Sequence, residues 1–87
     1  MGKTKKDGWK IVWNLRNRGV FPSFKEASKA FLEIVLRNVK NGISLQILET
    51  CGWVESPTSS TIYYFYDVRD ICIETGWMEN KTGKWIG

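Results

Sequence analysis

The side chains that carry most protein chemistry are sparse in this 87-residue chain. Histidine, the usual proton shuttle near neutral pH, is absent. Two cysteines, Cys51 and Cys72, stand 21 residues apart, too few for a zinc site when no imidazole can complete it. Both lie among apolar neighbours and are expected to be buried free thiols in a reducing compartment. Asp67, Asp70 and Glu74 share one helical segment, but acidic residues early in a helix are accounted for by its dipole and by solvation. The 8 glycines are scattered at turns and element ends, so no glycine-rich phosphate loop exists. The expectation is a non-enzyme with no catalytic residue, no metal and no cofactor.

What remains is ionic and aromatic chemistry. Residues 1–42 carry 10 Lys and Arg against 3 Asp and Glu, and residues 43–87 carry 3 against 6. The halves therefore hold +7 and −3, an asymmetry that points to a polyanionic partner. Lys10, Asn14, Arg16 and Arg18 fall on one short stretch, and Lys3, Lys5 and Lys6 precede it. A two-stranded ribbon is narrow enough to enter the major groove of DNA, where arginine addresses guanine and asparagine adenine, while mobile lysines meet phosphate. These seven residues are the candidate nucleic-acid contacts, with DNA favoured over RNA. The alternative is a protein-interaction adaptor or inhibitor. Its anchors would be Trp53, Tyr64 and Trp85, since Trp and Tyr dominate protein interfaces, and an acidic protein surface is the other partner the charge would suit.

The elements that must position these residues follow from periodicity. Trp9, Ile11, Trp13 and Leu15 alternate with Lys10, Val12, Asn14 and Arg16, the pattern of a half-buried strand. Arg16-Asn17-Arg18-Gly19 supplies turn chemistry, Val20-Phe21 returns as a second strand, and Pro22 ends it. Lys10, Asn14 and Arg16 would then share the face opposite the core, with Arg18 at the turn. Ser23 and Glu26 form a capping-box pair for a helix reaching Asn41, with Gly42 as terminator. Glu26, Lys29, Glu33, Arg37 and Lys40 make a narrow polar stripe on that helix. So narrow a stripe means cover on more than one side, by a sheet and by a second element or a second subunit.

Beyond Gly42, Ile43, Leu45 and Ile47 alternate with polar residues and the pattern resumes at Cys51 and Trp53, which predicts a strand bent at Gly52. Residues 56–60 are a loop, and the β-branched and aromatic run Thr61 to Tyr66 predicts a strand with both faces covered. Asp67 is the expected N-cap of a helix to Thr75 with Gly76 as its stop. Residues 77–87 suit a closing hairpin.

The expected architecture is thus α+β in the order ββαββα, two hairpin-plus-helix units whose small antiparallel sheet packs on one long helix. A basic tail over 1–8 would precede a single domain over 9–87. The rival is a mostly helical winged helix-turn-helix, in which Ser44 caps a helix from Leu45 to Cys51 and Ser59 or Ser60 caps another. No stretch reaches the roughly 20 apolar residues of a membrane span, and no signal peptide is evident. A cytoplasmic protein without a membrane partner is expected, with a homodimer through the long helix as a candidate assembly.

Overall fold

A computed structural model describes residues 8–86. The described residues form a small α+β fold with a four-stranded antiparallel sheet and three helices, in the order ββααββα. Strands β1 (Trp9–Trp13) and β2 (Arg16–Phe21) make a hairpin; β3 (Gly52–Glu55) and β4 (Ile62–Tyr63) complete the sheet in the order β2-β1-β3-β4. Helices α1 (Phe24–Lys40), α2 (Leu45–Leu48) and α3 (Phe65–Glu74) supply the rest. A four-stranded sheet is more than a wing, so the mostly helical alternative does not hold as a whole, although the helix it placed after Ser44 is present as α2. Gly8, read from sequence as the end of the tail, is buried where a Cβ would strike Val20 and Phe21.

Helix α1 begins as its sequence demands, with the Ser23 hydroxyl accepting from the Glu26 N–H at 3.2 Å. It ends in a Schellman motif: Gly42 takes φ +94°, its N–H donates to the Val39 carbonyl, and the Ile43 N–H donates to that of Asn38. Ala27, Phe31 and Val35 recur every four residues and are buried under the sheet's inner face, where Ile11, Trp13 and Val54 meet them. Trp13 stands edge-on to Phe31 at 5.9 Å, and Trp9 edge-on to Phe24 at 5.1 Å, so β1 lies along the first half of α1.

Three sequence expectations are corrected. The strand expected from Ile43 is helix α2, because Leu45 and Leu48 share a buried helical face while Ile47 is 63% exposed. Ser44 caps it, accepting from the Gln46 N–H at 3.1 Å. The aromatic run is split, for β4 stops at Tyr63 and α3 starts at Phe65. Asp67 is accordingly not the N-cap; it sits one turn in and its carboxylate accepts from the Tyr64 N–H at 3.1 Å. Phe65, Val68 and Cys72, at spacings of three and four, form the buried stripe that favours this earlier start.

Gly76, at φ +85°, ends α3 by a second Schellman motif, with Trp77 donating to the Cys72 carbonyl. The segment after it folds back on itself through a Met78–Trp85 bridge and a bond from the Glu79 N–H to the Lys84 carbonyl at 2.8 Å. It crosses the first half of α1, where Lys25 lies over Trp77 and Lys29 over Trp85. Among the described residues, no helix is long and apolar enough to cross a membrane.

Candidate nucleic-acid interface

The hairpin that carries the basic residues turns earlier than its sequence suggests. Asn14 and Leu15 have φ +52° and +65°, the two left-handed central residues of a type I′ turn, whose twist matches that of the strands it joins. Arg16-Asn17-Arg18-Gly19, expected as the turn, is instead the first part of β2. Its glycine and asparagine serve a bulge. Ile11 pairs with Gly19 and Val12 with Asn17, leaving Arg18 as the extra residue, while the Asn17 side chain accepts from the Gly19 N–H at 2.8 Å.

This register separates residues that simple alternation had placed together. Lys10 does project from the outer, helix-free face, flanked in register by Val20 and by Glu55, whose carboxylate offsets its charge. Arg16 pairs with Trp13 and so takes the helix side of the sheet, not the outer face, yet remains exposed at the edge strand. Leu15, expected on the core face with Trp13, is at the apex and 88% exposed. Arg18 does not crown the turn but sits in the bulge. What the fold does bring together is the tip: Asn14, Leu15, Arg16, Asn17 and Arg18 are all exposed. Lys3, Lys5 and Lys6 lie outside the described residues.

The base of the tip is firmly held. The Asn14 N–H donates to the Cys51 carbonyl at 3.0 Å, and Trp13, 4% exposed, is wedged between the sheet and Phe31. Gly52 lets β3 approach, since a Cβ there would collide with the Val12 carbonyl and lie 2.6 Å from the Trp13 ring. Sequence alone could have exposed the tip by one signal: asparagine at position 14, a residue that tolerates the left-handed region, stands immediately before the point where alternation fails.

The aromatic candidates fall on two surfaces. Trp53 pairs with Val12 on the outer face, stacks edge-on with Tyr64 at 5.8 Å and donates its indole N–H to Glu55 at 3.4 Å. Trp85 lies in the helix layer beneath Lys29. The two cysteines are free, Cys72 buried and Cys51 half-buried. Burial pushes the Cys72 thiol up, and the Ser28 hydroxyl opposes this from a site where it meets no partner in hydrogen-bond geometry. Among the described residues, no group of three or more His, Cys, Asp or Glu side chains is placed to hold a metal ion. No family model, curated protein or solved structure matches the chain.

Proposed function

We propose that this protein is a non-enzymatic nucleic-acid-binding module that presents the tip of the β1–β2 hairpin to DNA, with Lys3, Lys5 and Lys6 as an added basic arm. The observation that supports it is the tip itself. Five successive exposed residues carry two guanidinium groups, and the sequence from Gly8 to Lys25 contains no carboxylate. Guanidinium forks bind phosphate oxygens in two-pronged geometry, and asparagines beside them can meet base edges or sugars. The test is fluorescence anisotropy with duplex and single-stranded oligonucleotides at two salt concentrations. Arg16→Ala with Arg18→Ala should weaken binding and reduce the salt slope by about 0.9 for each phosphate that is no longer neutralised. Both side chains lie outside the core, so the variant should stay folded. A wild type without salt-dependent affinity at low ionic strength would overturn this reading. The adaptor would then lead, with Trp53 and Tyr64 as one anchor and an acidic protein surface as partner.

The long helix supports a homodimer as the assembly. Its stripe of Leu32, Leu36 and Val39 has the 4-3 spacing of a helix-pairing seam. The segment after α3 covers the first half of α1, but Leu36 and Val39 remain 55% and 39% exposed. A second copy laid antiparallel would set each Leu36 against a Val39 and each Glu33 beside a Lys40. The seam is complementary to itself in both apolar surface and charge.

A further inference from the structure

Leu15 is the most exposed large apolar side chain described, at 88%, and it occupies a conformation that disfavours it. Its φ of +65° lies in the left-handed region, where the second turn residue is ordinarily glycine and a branched side chain is crowded by its own backbone. The turn does not need a leucine, and neither does the core, which Leu15 does not touch. An apolar group held at the apex of a stiff ribbon, with Asn14 and Arg16 beside it and Arg18 behind, has the composition of an intercalating wedge.

We infer that the hairpin tip enters the minor groove of duplex DNA and that Leu15 inserts between two base pairs, unstacking them and bending the duplex while Arg16 and Arg18 hold the flanking phosphates. This deepens the nucleic-acid reading and rests on it. Leucine offers no donor or acceptor to a base edge, so Leu15 itself cannot read sequence by hydrogen bonds; a base step, in contrast, presents two apolar faces once it opens. Only the Asn14-Leu15 apex need enter a minor groove of about 6 Å, which widens as the duplex kinks away. Insertion requires a wedge that does not fold back. The Asn14–Cys51 hydrogen bond, the buried Trp13 and the bulge between Ile11 and Val12 provide that stiffness. Recognition would follow deformability. Pyrimidine–purine steps such as TA should be preferred, and A-form RNA duplex, with its shallow minor groove, should not be bent.

The test is energy transfer between dyes on the two ends of a DNA duplex of roughly 25 base pairs with a central TA step, a length over which a kink is readily seen. Wild-type protein should raise the transfer on binding. Leu15→Gly should keep the salt slope, lose about fivefold in affinity, and leave transfer at the level of free duplex. Leu15→Met, still apolar and able to insert, should retain the bend. A mismatch at the central step lowers the unstacking cost and should tighten wild-type binding by about tenfold while leaving Leu15→Gly nearly unaffected. Binding by the wild type without bending, or bending by Leu15→Gly equal to wild type, would overturn the wedge and leave the basic hairpin reading in place. Absence of salt-dependent binding by the wild type would overturn both together.

Discussion

Leu15 stands in a backbone conformation that costs an L-residue about 1–2 kcal/mol and that glycine adopts freely. Leu15→Gly is therefore expected to stabilise the fold by up to about 1 kcal/mol once glycine's greater freedom in the unfolded chain is set against the relief, read as a higher urea midpoint. A lower midpoint would mean that the leucine side chain makes a stabilising contact its exposure does not suggest. Cys72 bears on pH. Burial raises its thiol above the ordinary value of 9.0, so the folded state holds the proton more tightly than the unfolded state does. That contribution is whole below the unfolded value and is lost as pH climbs through the folded one. Thermal unfolding should show the wild type weakening in this alkaline range. Cys72→Ala should flatten the fall, at a cost of about 1–3 kcal/mol at neutral pH from poorer packing. Equal alkaline slopes for the two proteins would remove Cys72 as the cause.

Among the elements, β3 depends on a residue without a side chain. Gly52→Ala would drive a Cβ into the Val12 carbonyl and the Trp13 ring, two groups fixed by the sheet and the core. A loss of about 2–4 kcal/mol is expected, with the β1–β3 cross-strand contacts weakened in nuclear Overhauser spectra while those of β1–β2 persist. Intact β1–β3 contacts and unchanged stability would show that the sheet can part locally without penalty. The free seam of α1 makes a prediction that charge reversal can isolate. Leu36→Asp should shift sedimentation to monomer without changing the circular dichroism, because Leu36 lies mostly outside the core. Glu33→Lys or Lys40→Glu alone should weaken self-association by roughly tenfold through two like-charge contacts, and the double reversal should restore it. A wild type that stays monomeric at every accessible concentration would dismiss the pairing.

Across the whole molecule, the +7 and −3 halves are not two lobes. Strand β1 from the basic half pairs directly with β3 from the acidic half, which is how Glu55 comes to lie opposite Lys10. Folding thus cancels part of the basic excess on the sheet's outer face and leaves it undiluted at the hairpin tip. Removing Lys3 to Lys6 tests the remaining share of that charge. On the nucleic-acid reading, the deletion should weaken binding equally on all duplex sequences and reduce the salt slope while leaving any bend unchanged. A deletion that weakened one sequence more than another, read by competition anisotropy, would assign base contacts to the arm.

The parts of this fold that the sequence determined are those governed by near neighbours. Ser23 and Gly42 bound α1 because a hydroxyl acceptor and a left-handed residue act within one helical turn, and the apolar alternation from Trp9 to Trp13 is β1. Gly76 ends α3 for the same local reason. Where patterns were short, tertiary packing chose between them. Ile43, Leu45 and Ile47 alternate like a strand, yet burial of Leu45 and Leu48 against α1 makes α2, and the helical stripe of Phe65, Val68 and Cys72 takes the end of an aromatic run that reads as strand. The candidate site divided in the same way. Its basic composition was legible, but not which of Lys10, Asn14, Arg16 and Arg18 the fold brings together. That depended on a turn three residues earlier and on a bulge, because an odd shift in pairing moves a side chain to the other face of a strand. Only the pairing of β1 with both β2 and β3 sets that register, and with it the exposure of Leu15.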